Sequence, residues 1–237
     1  MKMKIVSALA MALAAVTSAF ADYSRMDFMT CQAQGTSGNN CTWVMTDYTP
    51  ASTDRIEMKL RSTNFSATQC LFCSRNGSMN NTVTTFIIGG TTIRYDRANN
   101  TQANSPKTLS QAADAGVDHV IVYDGNAGKG YVDNANAVNL NPASASYTGG
   151  STMSLFASQT GGSLSSLGNF AYYRFYYCRV YNKDGKLVRN FVPARDNSKA
   201  AGASTQCGVW DTVTGTFFAN KGTKAFDLTG ATAVGTL

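Results

Sequence analysis

The feature that most constrains the fold is an aromatic stretch between Asn169 and Arg195, which reads NFAYYRFYYCRVYNKDGKLVRNFVPAR. An Asp-Gly pair between apolar runs favours a β-hairpin, and the preceding Lys183 indicates a loop longer than two residues. Strict alternation assigns Tyr173, Phe175, Tyr177, Arg179 and Tyr181 to one face and Tyr172, Arg174, Tyr176, Cys178 and Val180 to the other. We therefore predict a central strand. On this prediction the outward Tyr173 and Tyr177 either line a concave binding face or pack beneath a loop.

Other segments of the chain show the same alternating pattern. Between Arg55 and Arg61, apolar residues alternate with Arg55, Glu57, Lys59 and Arg61, which are expected to face water. Thr82 to Ile88, Thr91 to Tyr95 and the run from His119 through the Asp124-Gly125 turn also read as strands. Only Thr108 to Asp114 is a candidate for a turn or two of helix. Roughly ten to twelve short strands at this spacing predict an all-β fold, a two-sheet antiparallel jelly-roll β-sandwich.

The first 21 residues have the pattern of a secretory signal. Lys2 and Lys4 precede an apolar run from Ile5 to Val16, and Ala19-Phe20-Ala21 offers small residues for cleavage. We expect a secreted or periplasmic protein of the cell envelope, with residues 22–237 as a single lectin-like domain whose core spans about 42–230. No later segment is long and apolar enough to predict a transmembrane segment in the mature chain.

The charge pattern does not favour nucleic acid as a partner. The chain has 20 Lys and Arg against 14 Asp and Glu, and removal of Lys2 and Lys4 leaves 18 cations. These residues are scattered, whereas nucleic-acid binding requires a clustered basic stripe.

Six cysteines fit an oxidising compartment and make structural disulfides the favoured interpretation. The disulfide candidates are Cys31, Cys41, Cys70, Cys73, Cys178 and Cys207. A local bridge between Cys31 and Cys41 is plausible across their Gly-rich loop, but the sequence leaves the connectivity open. Cys70 and Cys73 have metal-like spacing without the second pair or the histidines that a zinc site needs.

Several segments, taken in order, resemble laminin-G-like and concanavalin A-like lectin-glucanase jelly-roll domains of the bacterial secreted type. They are His119–Gly125 with Gly130–Asp133, Leu71–Arg75, Thr46–Pro50 with Arg55–Met58, and Gly185–Pro193 with Gly208–Asp211 and Gly215–Asn220. The resemblance covers about residues 42 to 230. It implies a sandwich of two curved sheets used for non-catalytic glycan or surface binding, and it makes bound calcium possible.

Sugar recognition combines an aromatic platform with amide and carboxylate partners, because pyranose faces stack while their hydroxyl groups need directional hydrogen bonds. The candidate ligand-binding residues near predicted loops are Trp43, Tyr95, Asn99, Asn100, Tyr131, Asp133 and Trp210. For Trp43 and Trp210, each taken singly, a place at the end of the sandwich core is the favoured interpretation. Calcium is a possible cofactor, because Asp96–Asn100 and Asp133–Asn136 supply side-chain oxygens. No metal ligand set is assigned, and both segments serve equally well as turns.

Retaining glycosidases of this scaffold need two carboxylates about 5 Å apart. Glu57 is the only glutamate, and no strand presents two acids at alternating positions. His119 has no nucleophile motif beside it, so a hydrogen-bonded structural role is expected. We therefore predict no enzyme activity and favour a secreted module that binds a carbohydrate or cell-surface polymer. A structural or adhesive envelope protein with a protein partner is the alternative, and a glycoside hydrolase is less favoured.

Overall fold

The computed structural model describes residues 22–32, 40–62, 68–77, 81–88, 91–99, 106–110, 114–135, 137–141, 146–164 and 171–237. Every regular element in these ranges is a β-strand. No helix within them has the length and apolarity needed to cross a membrane. Residues 1–21, and with them the expected signal, lie outside the described residues.

The described ranges contain nineteen strands. They are β1 Tyr23–Met26, β2 Met29–Thr30, β3 Val44–Met45, β4 Arg55–Ser62, β5 Gln69–Ser74, β6 Thr82–Ile88, β7 Thr92–Ala98, β8 Lys107–Leu109, β9 Asp118–Asp124, β10 Lys129–Val132, β11 Ala137–Asn139, β12 Ser154–Leu155, β13 Gln159–Thr160, β14 Ser163–Leu164, β15 Tyr173–Tyr181, β16 Leu187–Asp196, β17 Cys207–Asp211, β18 Thr216–Ala219 and β19 Ala233–Thr236.

The strands form two main antiparallel sheets. The larger sheet has the order β11-β10-β9-β4-β15-β16-β1-β19, with β17 and β18 extending from β16 and with β2 on β15. The smaller sheet has the order β3-β12-β5-β6-β7-β8, and β13 and β14 pair separately. Because the chain passes repeatedly from one sheet to the other, the path is that of a jelly roll. The predicted all-β sandwich is confirmed.

One hydrophobic core lies between the two sheets. The larger sheet contributes Ile56, Met58 and Leu60, the inward positions of β4, while the smaller sheet contributes residues such as Phe72 and Ile93. All five are fully buried. Burial of each such side chain stabilises the fold by about 1.5–3 kcal/mol, so the alternating pattern of β4 is a strong determinant of the sandwich.

The aromatic hairpin is formed by β15 and β16, as the sequence predicts. The loop between them is longer than two residues: the Asn182 side chain accepts hydrogen bonds from the backbone of Asp184 and Lys186, and Gly185 has φ 76°. The segment Asp133–Asn136, for which a turn was one interpretation, begins with a turn in which Asp133 and Asn134 have φ values of 54° and 55°. These left-handed values are those of a type I′ hairpin turn.

Several local predictions are wrong. Thr108 to Asp114 begins with the end of strand β8 and not with helix, and β7 continues beyond the predicted strand end at Tyr95 to Ala98. The edge strand β19 and the paired strands β13 and β14 were not predicted. These short strands carry too few alternating residues to be recognised in sequence. Their partners lie far away along the chain.

Candidate functional site

A β-bulge in β15 decides which aromatic residues face outward. Phe175 pairs with Leu60 of β4 and Tyr177 with Lys59, so Tyr176 is an extra residue in the ladder. The extra residue reverses the alternation. Tyr173 and Phe175 lie in the core before the bulge, whereas Tyr177 points outward after it. The prediction that Tyr173 lines an outer face is therefore wrong: it is fully buried, and its hydroxyl donates to the Cys70 carbonyl at 3.1 Å.

The outer side of the larger sheet carries a continuous group of tyrosine and charged side chains, which we call the tyrosine face. Its members are Arg55, Glu57, Lys59 and Arg61 of β4, Asp118 and Asp124 of β9, Tyr131 of β10, and Arg174, Tyr176, Tyr177, Arg179 and Tyr181 of β15. They occupy four adjacent strands, β10, β9, β4 and β15. With strands about 4.8 Å apart, the tyrosine face is about 14 Å wide across the strands.

Glu57 is the centre of this network. Its carboxylate accepts a hydrogen bond from Arg55 Nη1 at 2.6 Å, from the Tyr181 hydroxyl at 3.2 Å and from Arg179 Nη1 at 3.5 Å. Glu57 is only 7% exposed, so the prediction of a solvated side chain is wrong. The long neighbouring side chains cover it, which is the usual way a strand retains a buried charge.

A second carboxylate, Asp124, joins Tyr131 to the same network. The Tyr131 hydroxyl donates to Asp124 Oδ2 at 2.7 Å, and Arg55 Nε lies 3.9 Å from the same oxygen. Burial, followed by the hydrogen bond to Asp124, raises the pKa of Tyr131. Arg55 therefore links the carboxylates of Glu57 and Asp124 and fixes the positions of both.

The opposite end of the tyrosine face is organised by Asp118. Its carboxylate lies 2.6 Å from Arg61 Nε and 3.1 Å from Lys59 Nζ, and it accepts a hydrogen bond from the Tyr176 hydroxyl at 3.0 Å. Partial burial acts to raise the pKa of Asp118, but the hydrogen bonds from Arg61, Lys59 and Tyr176 outweigh burial and lower it. Asp118 is consequently held as a carboxylate.

Cations also lie over the tyrosine rings. The Arg179 guanidinium is 4.2 Å from the Tyr177 ring centre, Arg55 is 5.4 Å from Tyr181, and Lys59 Nζ is 5.0 Å from Tyr176. Such contacts are worth about 0.5–1 kcal/mol each at exposed sites. They hold the half-buried rings in fixed orientations, which reduces the entropy that a stacked ligand would cost.

Of the candidate ligand-binding residues, Tyr131 lies on the tyrosine face. Tyr95 does not: it is 1% exposed, and its hydroxyl donates to the Tyr131 carbonyl at 3.1 Å from inside the core. Asn99 is buried at 9% exposure, and Asn100 lies outside the described residues.

Asp133 forms a separate pair with His119. His119 Nδ1 lies 2.6 Å from Asp133 Oδ2, and the Asp114 backbone N–H donates to His119 Nε2 at 2.9 Å. With Nε2 accepting, Nδ1 carries the proton toward Asp133. These bonds anchor the turn after β10, and both His119 nitrogens have partners, as expected for a structural histidine.

The two tryptophans lie beside one cleft at another part of the sandwich. Its volume is about 540 Å³, and its walls are Met45, Thr205, Phe217, Phe218, Ala219, Asn220 and Lys221. Trp43 exchanges backbone hydrogen bonds with the Asn220 side chain and the Lys221 N–H, while Trp210 pairs with Phe217. Trp43 is 8% exposed, so its ring packs in the interior and is not part of the cleft wall.

Cation sites and disulfides remain predictions. No group of three or more His, Cys, Asp or Glu side chains converges on a metal position within the described parts of the chain. In the possible calcium segments, Asp96 is 1% exposed and its carboxylate is bound by Arg94 at 2.7 Å. All six cysteines are buried thiols. Backbone and side-chain hydrogen bonds between Gln32 and Thr42 bring the chain next to Cys31 and Cys41 together.

Apart from Tyr131, sequence reasoning did not identify the tyrosine face as a candidate site. Alternation places the charged residues of β4 and Tyr177 on the outer side, in agreement with the structure. It assigns Arg174 and Tyr176 to the inner side because it does not detect the bulge at Tyr176. One available signal was the density of Arg and Tyr in β4 and β15, the two central neighbouring strands.

Comparison with known proteins shows remote structural similarity only. No family model matches the chain, and no curated protein matches it in sequence. A native heptameric SAP-like pentraxin from Limulus polyphemus aligns with a TM-score of 0.47 and 11% identity over 71% of this chain and 78% of the pentraxin.

Two further structures are similar at the same remote level. The CBM40 of the Ruminococcus gnavus IT-sialidase, bound to α2,3-sialyllactose, aligns with a TM-score of 0.38 and 14% identity over 54% of this chain and 74% of its own. A protein from Bacteroides ovatus ATCC 8483 to which carbohydrate binding has been ascribed aligns with a TM-score of 0.47 and 9% identity. That alignment covers 90% of this chain and 62% of the Bacteroides protein.

Proposed function

We propose that the protein is an exported, non-catalytic module that binds carbohydrate on the tyrosine face. The single observation that carries the proposal is the arrangement of three half-buried rings, Tyr131, Tyr177 and Tyr181, around the Glu57–Arg55–Asp124 network on one sheet face. The sequence resemblance to laminin-G-like and concanavalin A-like domains supports the same use.

The chemistry of the tyrosine face suits a sugar. A pyranose presents an apolar face that stacks on an aromatic ring and hydroxyl groups that need directional donors and acceptors. Partly exposed guanidinium groups supply donors: the side chains of Arg55, Arg61 and Arg179 are 33%, 37% and 40% exposed. Because the ion pairs fix these groups before binding, little ordering is required when a ligand arrives.

The charge balance favours an acidic saccharide. Five cations of the tyrosine face, Arg55, Lys59, Arg61, Arg174 and Arg179, stand against three carboxylates. An excess of positive charge attracts anionic ligands and raises their association rate at low salt. We therefore expect acidic polysaccharides to bind more tightly than neutral ones, with an affinity that falls as salt increases.

A binding role without chemistry is proposed because the acids of the tyrosine face are engaged by cations. Glu57 contacts Arg55 and Arg179, Asp124 contacts Arg55, and Asp118 contacts Arg61 and Lys59. A glycosidase acid must instead donate a proton to the leaving group. A hydrolase is tested by incubating the protein with the bound polysaccharides and measuring released reducing ends.

The binding site is tested by titrating acidic and neutral polysaccharides into the mature protein in a calorimeter. Tyr181→Ala is expected to weaken binding by about tenfold, the effect of losing one stacking ring and its hydrogen bond. Trp210→Ala removes a similarly half-exposed ring beside the cleft and serves as the matched control. Loss of binding in Trp210→Ala but not in Tyr181→Ala would refute the assignment to the tyrosine face.

An adhesive protein with a protein partner is a second candidate, favoured by the edge strand β19. All four of its residues are exposed, Val234 to 54%. It ends the strand order of the larger sheet. An exposed edge offers backbone groups to an added strand. Binding of the protein to isolated envelope fragments distinguishes the two candidates. If binding persists after the fragments are treated with protease, the ligand is a carbohydrate. Loss after that treatment, with loss in Val234→Pro, supports a protein partner.

A further inference from the structure

A second β-bulge, in β5 of the smaller sheet, brings Cys70 and Cys73 to the same side of their strand. Three residues apart, they would face opposite sides of a regular strand. Cys70 pairs with Phe86 and Phe72 with Thr85, so Leu71 is the extra residue and Cys73 pairs with Thr84. The two cysteines accordingly pack with Phe86 in a small cluster apart from the main core.

This position suits a disulfide geometrically. Because Cys70 and Cys73 oppose residues two apart on β6, their Cα atoms are separated by about two strand steps, roughly 6.6 Å. That separation is within the range of about 4.4–6.8 Å found in disulfides. The two thiols already lie within hydrogen-bonding contact of each other.

The surroundings of Cys73 favour its thiolate. The Thr84 hydroxyl donates to Cys73 Sγ at 3.4 Å, and the Cys73 thiol in turn donates to the Gln159 carbonyl at 3.4 Å. Arg75, whose Nε donates to the Gln159 carbonyl at 2.7 Å, adds positive charge nearby. Burial acts to raise the pKa of Cys73, but hydrogen bonds from the Cys70 thiol and the Thr84 hydroxyl, with the Arg75 charge, contribute to lowering it to about 7. Burial raises the pKa of Cys70 well above its ordinary value.

We infer that Cys70 and Cys73 form a disulfide within one strand, closed by exchange with an external disulfide. In the first step the Cys73 thiolate attacks that disulfide, forming a mixed disulfide and releasing one thiolate. The Cys70 thiol then loses its proton and attacks Cys73 Sγ, which releases the second thiolate. Two protein thiols and one external disulfide thus give one protein disulfide and two external thiols, the protons passing to the thiolates.

Exchange requires access from the side of β13. Cys73 is fully buried beneath the segment that contains Ser158 and Gln159, and Ser158 and Gln159 are both held by Arg75. We therefore expect the disulfide to close before this segment docks, or when it opens. In the folded protein, oxidation is expected to be slow and to accelerate in mild denaturant.

The test uses the full protein incubated with oxidised glutathione, denatured, and treated with iodoacetamide before digestion with trypsin. Cleavage after Arg61 and Arg75 yields one peptide, residues 62–75, that contains Cys70 and Cys73 and no other cysteine. We expect this peptide to be unalkylated and lighter than the dithiol by two hydrogen atoms, and to take two alkyl groups after reduction. Alkylation of both residues without reduction, or a cross-link from either to a third cysteine, would overturn the inference.

Two variants test the roles of the two sulfurs. In Cys70→Ser only Cys73 of the pair can form a mixed disulfide with glutathione, and that mixed disulfide cannot be resolved by Cys70. In Cys73→Ser only Cys70 can form it. Because reaction requires a thiolate, we expect Cys73 in the first variant to be glutathionylated at neutral pH faster than Cys70 in the second by about tenfold or more. Equal rates would show that Cys73 is not the attacking sulfur. The peptide measurement on the unaltered protein remains decisive if either variant fails to fold.

Discussion

Asn220 provides the sharpest test of how the fold is held together. It follows β18, is 3% exposed, and accepts hydrogen bonds from the backbone N–H groups of Trp43 and Gly222, each at 3.0 Å. Its amide group donates to the carbonyls of Ser204, Gly222 and Lys224 at 2.8, 3.3 and 2.6 Å. One side chain therefore joins four separate positions of the backbone.

The expected cost of Asn220→Ala follows from the groups left without partners. The two N–H donors become unsatisfied in a buried region, at about 1–2 kcal/mol each, so we expect a loss of about 2–4 kcal/mol in the free energy of unfolding. With an m-value of about 2 kcal/mol/M in urea, the midpoint should fall by about 1–2 M at unchanged m. Urea denaturation followed by circular dichroism measures both quantities.

Asn182→Ala is the matched control. Asn182 also accepts two backbone N–H bonds, from Asp184 at 3.1 Å and Lys186 at 3.0 Å, but both bonds are exposed. Water replaces the lost acceptor there, so we expect a loss of less than about 1 kcal/mol. Equal losses in the alanine variants at positions 182 and 220 would refute the argument that burial makes Asn220 costly to remove.

Asn220→Asp separates the accepting and donating roles. The new carboxylate keeps both N–H bonds but faces the carbonyls of Ser204, Gly222 and Lys224. Burial and these carbonyls place its pKa in the folded state above the value of about 3.9 in the unfolded chain. The loss in the free energy of unfolding caused by the ionised carboxylate is then largest at neutral pH and disappears as the pH falls toward about 3.9. A loss of stability that does not change with pH would contradict this reasoning.

Three further outcomes are expected. Gly130→Ala would place a Cβ 2.6 Å from the buried Tyr95 ring, so we expect the free energy of unfolding, measured by thermal denaturation, to fall by about 1–3 kcal/mol. Gly77→Ala is the control: its Cβ would have no atom within 4 Å, so its stability should be unchanged. Asp118→Asn removes a carboxylate whose pKa is lowered by two cations and a tyrosine despite partial burial; the variant should be less stable at pH 7, and its difference from the parent protein should shrink as the pH falls below about 4. N-terminal sequencing of the exported protein should begin at Asp22, and retention of residues 1–21 would contradict the predicted signal.

The sequence was sufficient for the sheet architecture where strands are long and regularly alternating. Strand β6 has the predicted bounds, Thr82 to Ile88, and the predicted turns after Asp124 and Tyr181 both connect hairpins. These features are local: alternation sets the buried face, and turn residues set the connection. Pairing of the ends, such as Tyr23–Met26 with Ala233–Thr236, depends on distant partners and leaves no local signal.

The site was less predictable because position on a sheet depends on register. Tyr131 and Tyr95 lie 36 residues apart in sequence and were grouped as loop aromatics, yet one faces outward and the other fills the core below it. Gly130 explains their contact, since only a residue without a side chain allows the Tyr95 ring to approach the backbone so closely. Burial of Glu57 likewise follows from the length of the neighbouring arginines, which alternation does not describe.

Both functional proposals depend on a single extra residue in a strand. Tyr176 in β15 turns Tyr177, Arg179 and Tyr181 toward the outer surface, and Leu71 in β5 turns Cys73 toward Cys70. In a regular ladder Tyr177, Arg179 and Tyr181 would share the face of the buried Tyr173, and the two thiols would lie on opposite sides of the smaller sheet. Bulges re-aim side chains at a small cost in pairing. Deletion of Tyr176 would remove the extra residue and leave a ladder in which Tyr177 still opposes Lys59 and still faces outward, so most of the saccharide affinity should be retained in that variant and in Tyr176→Ala. Loss of binding in the deletion variant alone would show that the bulge itself, and not only the outward direction of Tyr177, Arg179 and Tyr181, is needed for the site.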